Sequence, residues 1–86
     1  MKKIIEKNYD VTVKRGCINS KTTEEDFILK IKEEVEEFIE ANKFGLVTEN
    51  EELADIILVC LNYAKHYGID IKKELKQKIN KNKKRL

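Results

Sequence analysis

Five acidic side chains near the middle of the chain have the types and the spacing that metal-dependent chemistry needs. Glu33, Glu34 and Glu37 form an EExxE pattern, and Glu52 and Asp55 follow as ExxD after a spacer. Residues three apart on a helix share a face, so each pattern places one pair of carboxylates together. Two such pairs repel each other unless a positive charge lies between them. We expect Mg²⁺ there, with Mn²⁺ as a substitute, because both prefer oxygen ligands.

Either pattern alone is ordinary in a helix rich in Lys and Glu, where such acids usually form solvated faces. The combination favours a site. Glu34 borders the apolar stripe of its helix, and Glu52 and Asp55 lie on a helix that is apolar around most of its girth. A short connection packs the two helices antiparallel and brings the pairs together. Glu36 and Glu40 face solvent, so we leave them out of the site.

The composition indicates an all-α fold. The 86 residues are 41% apolar and 40% charged, with no Pro and three Gly, which is typical of amphipathic helices. We predict one domain over residues 1–86, a bundle of about four helices. So short a chain builds a marginal core, so we expect oligomerisation to complete it.

The apolar periodicity predicts helices over residues 2–15, 23–42 and 49–67, and a fourth after Asp70. Residues 11–13 could form a short strand, but no second strand is available to pair with it, so a helix is favoured. Two capping boxes are predicted, Thr22 with Glu25 and Thr48 with Glu51. Gly16 and Gly68 are predicted to end their helices in the left-handed conformation.

The second helix carries a predicted apolar stripe of seven residues: Phe27, Ile28, Ile31, Val35, Phe38, Ile39 and Asn42. Glu34 lies at the edge of that stripe. The third helix is apolar on more than one side, which indicates burial against a partner subunit as well as within the chain. Cys60 lies in its apolar run and is predicted to be a reduced core residue.

The end of the chain is basic, and it is a candidate anion site. From residue 72 to residue 85 there are eight Lys or Arg and one acid, whereas twelve of the sixteen acids lie between residues 24 and 55. Lys78, Asn82 and Arg85 align with the predicted apolar stripe of the fourth helix, so we expect them to face the protein or a ligand. Bound Mg²⁺ beside Lys and Arg suits a polyphosphate.

The chain has no apolar stretch long enough to span a bilayer, and its start does not resemble a signal peptide. Cys17 and Cys60 have no metal-ligand spacing. These observations predict a cytoplasmic protein with no membrane partner.

With these motifs in place, the chain resembles the MazG-like all-α nucleoside triphosphate pyrophosphohydrolases, relatives of the dimeric dUTPases. The likeness lies in EExxE at 33–37, ExxD at 52–55, the Gly-Ile-Asp sequence at 68–70, and the pattern of Lys78, Asn82 and Arg85. It covers about residues 24–86. The first helix, which ends in Lys14-Arg15-Gly16, is compatible with the family.

The resemblance implies hydrolysis of a nucleoside triphosphate between the α and β phosphates, in control of the nucleotide pool. Glu34, Glu37, Glu52 and Asp55 would bind Mg²⁺, and Glu33 would be a further ligand or would orient water. The implied substrate-binding residues are Lys78, Asn82, Arg85 and Arg15. The family also forms homodimers or homotetramers, with sites at subunit interfaces.

Two other functions are compatible with parts of the sequence. A non-catalytic oligomerisation module whose basic end contacts nucleic acid would leave the acids beside the apolar stripes unexplained, so a nucleic-acid partner is not expected. A di-iron carboxylate bundle would need Glu-x-x-His, and neither acid pair has that His. The preferred base and sugar, the number of metal ions and the choice between dimer and tetramer stay open.

Overall fold

The computed structural model describes residues 1–86 as four helices without strands. They are α1 (Lys2–Lys14), α2 (Glu24–Lys43), α3 (Glu49–His66) and α4 (Ile71–Lys83). The all-α fold is confirmed, and the predicted bounds of the first three helices and the start of the fourth lie within one residue of these. The fourth helix ends at Lys83, short of Arg85, which was predicted to align with its stripe. The alternative of a strand at residues 11–13 is wrong, since these residues belong to α1.

Helices α2 and α3 form an antiparallel hairpin. At its open end the Phe27 ring packs edge-on against Tyr63, with 5.5 Å between ring centroids. At its closed end the Asn42 amide donates a 2.8 Å hydrogen bond to the Glu49 carboxylate. Gly45 turns the chain between them with a φ of 61°, which favours glycine. The second half of α2 therefore faces the first half of α3.

Helix α1 packs antiparallel to α3 through polar side chains. The buried Asn62 amide accepts a 2.9 Å hydrogen bond from Asn8 and donates a 3.2 Å bond to the Thr12 hydroxyl. One turn further along α3, the His66 ring lies 2.8 Å from the Tyr9 hydroxyl oxygen. Because α1 buries none of its residues completely, these bonds define how it docks.

The helix ends differ from the predicted caps. The capping box of α2 uses Thr23 and Asp26, one residue later than predicted. Thr22 instead accepts a hydrogen bond from the backbone N–H of Asn19 in the preceding loop. Thr48 precedes α3 but makes no capping hydrogen bond with its side chain. The predicted left-handed glycines are confirmed, with φ of 79° at Gly16 and 65° at Gly68.

The core is small, because only seven residues are buried. Five of them are apolar: Ile18, Phe27, Ala41, Leu61 and Ala64. Val35 and Ile39 of the predicted α2 stripe are exposed, and so is Cys60, which is a free thiol and not a core residue. The apolar surface of α2 and α3 therefore exceeds what α1 and α4 cover in the single chain.

Helix α4 buries none of its residues. The stripe that the sequence predicted on it, through Leu75 and Ile79, is exposed in the chain by itself. None of the four helices combines the length and the apolar character needed to cross a membrane.

Candidate functional site

Glu34 is the centre of the site. The buried residues of α2 are Phe27, Glu34 and Ala41, spaced seven apart, so all three lie on one line facing the hairpin interior. The prediction that Glu34 lies at the edge of the apolar stripe is therefore wrong: its side chain is only 8% exposed and lies in the middle of the buried line. Its position is fixed by the packing on both sides along α2.

The predicted acids converge on this residue. Carboxylate oxygens of Glu33, Glu34 and Glu37 lie within 4.8 Å of one another, and those of Glu34, Glu52 and Asp55 form a second group with the same spread. The antiparallel hairpin explains this arrangement, because it faces the middle of α2 with the first two turns of α3. Glu34 belongs to both groups and links them.

Like charges at this spacing alter the proton affinity of the site. The negative charge of Glu34 raises the pKa of the Glu37 carboxyl, and partial desolvation and the charge of Glu52 add to the effect. These acids also have one positively charged neighbour: the Lys30 ammonium lies 3.0 Å from Glu34 Oε1 and 3.5 Å from Glu33 Oε1. Its hydrogen bond to Glu34 raises the pKa of Lys30.

Two carboxylate oxygens lack a partner where one is needed. Glu34 Oε2 and Glu52 Oε2 are buried, and no hydrogen bond reaches either of them. A buried anionic oxygen without a donor is costly, and buried charges are normally paired or bound to a metal. These oxygens, in an all-carboxylate set, fit a hard divalent cation of the Mg²⁺ type. The carboxylate oxygens of this site are therefore of the ligand type that the predicted Mg²⁺ prefers.

A cavity of about 460 Å³ opens beside the acids. That volume is within the range of small-molecule sites. Acidic, basic and amide side chains line it together with five apolar residues. The polar members that matter here are Asn8, Thr12, Arg15, Lys30, Glu34, Asp55 and Asn62. Arg15, predicted as a substrate-binding residue, does line the cavity with two of the acids.

The comparison with protein families decides the identity of this helical hairpin. The model of the MazG nucleotide pyrophosphohydrolase domain matches residues 22–86. The chain belongs to the MazG family. The resemblance carried by EExxE and ExxD is thus confirmed, and with it membership of a family of nucleotide-hydrolysing enzymes. Comparisons with curated proteins and with solved structures gave no match.

The three predicted polar residues at the end of the chain are not brought to the carboxylates within one chain: Lys78 and Asn82 lie on α4, and Arg85 follows its end. Lys78, Asn82 and Arg85 are exposed, and none lines the cavity. Of the two alternatives expected for Asn82, the protein or a ligand, the single chain does not provide the first, because α4 buries none of its side chains. Their role in substrate binding stays a prediction.

Sequence reasoning did not assign several of the polar residues that line this cavity, among them Lys30, Asn8, Thr12 and Asn62. For Asn62 a signal existed, since it follows Asp55 by seven residues and so shares its face of α3. For Lys30 the signal was its place one turn before Glu34. Asn8 and Thr12 lie on α1, outside the residues that the family model matches, and only the docking of α1 places them.

Proposed function

We propose that this MazG domain is a Mg²⁺-dependent pyrophosphohydrolase that cleaves a ribo- or deoxynucleoside triphosphate between its α and β phosphates. The products are a nucleoside monophosphate and pyrophosphate. One observation carries the proposal: two carboxylate groups share Glu34, leave two buried oxygens without partners, and border a cavity that also holds Arg15 and Lys30. Such a cavity offers oxygen ligands for a metal and cations for a phosphate chain.

Glu34, Glu37, Glu52 and Asp55 would hold the metal. Bound there, Mg²⁺ supplies charge for the phosphate oxygens and makes water more acidic. Glu33 is more exposed than Glu34, with 58% of its side chain accessible, so water reaches it. Its carboxylate can orient the attacking water and accept its proton, while the bond between the α phosphorus and the bridging oxygen breaks and pyrophosphate leaves.

The basic side chains that line the cavity, Arg15 and Lys30, would bind the triphosphate. Arg15, at the end of α1, offers paired donors to phosphate oxygens. Lys30 reaches the same cavity from α2. The family pattern supports Lys78, Asn82 and Arg85 as further substrate-binding residues. They would reach the cavity if the C-terminal segment of the same chain or of a partner subunit packed against it.

A homodimer or homotetramer is part of the proposal. The exposed large apolar side chains include Ile28 and Ile39 on α2, and Leu53 and Ile57 on α3. A partner subunit of the same sequence would cover them.

The test is a panel of ribo- and deoxynucleoside triphosphates incubated with Mg²⁺, with pyrophosphate and orthophosphate measured separately. We expect pyrophosphate and the monophosphate in equal amounts, and no release without a divalent ion. Orthophosphate as the sole product would contradict cleavage between the α and β phosphates. Salt-sensitive nucleic-acid binding without turnover would favour the non-catalytic module instead.

The same assay tests the site residues. Glu37→Gln and Asp55→Asn each remove one charged ligand from a different group, so pyrophosphate release should fall by more than about 100-fold with the helical content unchanged. The matched control is Glu36→Gln, an exposed residue of α2 outside both groups, which should keep its activity. Full activity in either ligand variant would show that the site is assigned wrongly.

A further inference from the structure

Lys30 makes every ion pair in the chain. The sequence contains 18 basic and 16 acidic residues, yet its two salt bridges both use this ammonium, with Glu33 and Glu34 as the acids. Exposed charges on such helices are therefore solvated, apart from this one place. The order of the pair, with Lys before Glu, is the less favourable one for the helix itself. This order contributes less to the stability of α2, and the pair acts directly on the Glu34 carboxylate.

The pair covers half of the shared carboxylate. Lys30 binds Glu34 Oε1, whereas Glu34 Oε2 is buried without a partner. Because Glu34 belongs to both carboxylate groups, whatever neutralises it affects both. In the metal-free chain Lys30 is the cation that does so, and half of its side chain remains accessible to solvent.

A divalent cation in the groups would change this balance. An ammonium and a metal ion at one carboxylate repel each other, and the flexible four-carbon stem of Lys lets the ammonium move without moving the helix. Lys30 also lines the cavity proposed for the triphosphate. Once the metal occupies the Glu34 carboxylate, a phosphate oxygen in this cavity would be a new partner for the Lys30 ammonium.

We propose that Lys30 is an exchangeable counter-ion: it neutralises Glu34 before metal binds, is displaced by the metal, and then binds a phosphate of the substrate. The inference rests on the proposed function. It has two consequences. Lys30 weakens metal binding to the free protein, and it makes metal and polyphosphate bind cooperatively, because each one releases or receives the same ammonium.

The opposite role is that Lys30 holds Glu34 in place for the metal throughout. The two roles differ in sign. If Lys30 orients Glu34, its removal weakens metal binding to the free protein. If Lys30 competes, its removal strengthens that binding.

The experiment is calorimetric titration of Mg²⁺ into nucleotide-free wild-type protein and into Lys30→Met, Lys32→Met and Glu34→Gln. Lys30→Met keeps the aliphatic stem at a half-exposed position, so the fold should survive. We expect its dissociation constant for Mg²⁺ to fall roughly fivefold, as for the loss of a partly exposed ion pair. Lys32→Met removes the same charge from a solvent-facing position of α2 without an ion pair, so it should match wild type.

A second titration, with an α,β-methylene triphosphate analogue present, tests the transfer to phosphate. The analogue should tighten Mg²⁺ binding in wild type and Lys32→Met, and clearly less in Lys30→Met. Unchanged or weaker Mg²⁺ binding by nucleotide-free Lys30→Met would overturn the inference while the metal site, shown by the loss of binding in Glu34→Gln, still stands. Wild-type protein that binds no Mg²⁺ at all would overturn the proposed function itself.

Discussion

At the scale of single residues, the fold holds the like-charged carboxylates of Glu34 and Glu37 close together. The Glu34 charge raises the pKa of Glu37 above its ordinary value of 4.5, so the folded protein binds this proton more tightly than the unfolded protein does. The stabilising contribution of that proton is fully present below about pH 4.5 and is lost as the pH rises through the raised pKa. At neutral pH, repulsion between the ionised carboxylates of Glu34 and Glu37 therefore destabilises the metal-free protein.

This predicts a gain in stability from a change that removes activity. Without metal at pH 7, Glu37→Gln should have a higher melting temperature than wild type, because the repelling charge is gone. The advantage should disappear as the pH approaches 4.5. Added Mg²⁺ should stabilise wild type more than the variant. Thermal unfolding followed by circular dichroism, from pH 4 to 8 with and without Mg²⁺, measures all three; a metal-free variant less stable than wild type at pH 7 would refute the repulsion.

The acids were predictable from the sequence because their spacing alone places them on shared helix faces. The burial of Glu34 was not, because helical periodicity ranks residues by apolarity and so assigns a charged residue to the edge. Packing of Phe27 and Ala41 on either side of it decides the burial. The burial of Asn62 was not predicted for the same reason. Its hydrogen bonds to Asn8 and Thr12 form only when α1 packs against α3.

At the scale of elements, four helices follow from the apolar periods, and the antiparallel hairpin follows from a short connection with a left-handed Gly45. The caps were less certain because the sequence allows two registers. Thr22 and Thr23 are adjacent, and each has an acid three residues later. The bond that Thr22 makes to Asn19 in the loop leaves Thr23 as the cap, which no local pattern reveals.

The docking of α1 provides a prediction at this scale. Asn62→Ala removes two hydrogen bonds between α3 and α1 and should lower the free energy of unfolding by about 2 kcal/mol. For a domain of this size that is a fall in melting temperature of roughly 10 °C. Hydrogen exchange of the α1 amides should accelerate more than that of α2, because α1 loses its main polar tie.

The control for that variant is Asn50→Ala, an exposed residue in the first turn of α3. Its effect on stability should stay within about 0.5 kcal/mol. Equal acceleration of exchange in α1 and α2 would mean that Asn62 supports the whole fold and does not specifically hold α1.

At the scale of the whole molecule, the single chain is too open for its mass. Its accessible surface is 7039 Å², whereas a compact monomer of 10.1 kDa would expose about 5,300 Å². Its radius of gyration is 14.6 Å, against about 12 Å for a compact domain of this length. The excess of roughly 1,700 Å² is comparable to what one subunit buries in an obligate dimer.

The all-round apolar character of α3 predicted cover by a partner subunit, and the structure shows which of its apolar side chains the single chain leaves exposed. The sequence could not predict the position of α4, because the chain buries none of that helix's residues and leaves its apolar stripe exposed. Under the proposed function, assembly is the condition on which Lys78, Asn82 and Arg85 approach the cavity and both halves of the proposed site meet.

Ile57→Glu tests that condition. Ile57 is 52% exposed on α3, one turn after the exposed Leu53, and a charge there would be buried unpaired in any interface that covers the stripe. We expect the wild-type protein to sediment as a dimer or tetramer and the variant as a monomer, with a dissociation constant raised at least about 100-fold. Asn50→Glu adds the same charge to an exposed polar position of α3 and should leave the assembly intact. If the Ile57 variant keeps the wild-type mass, the interface lies elsewhere, and if it becomes monomeric yet keeps full pyrophosphohydrolase activity, the acids and the cavity of one chain suffice for catalysis.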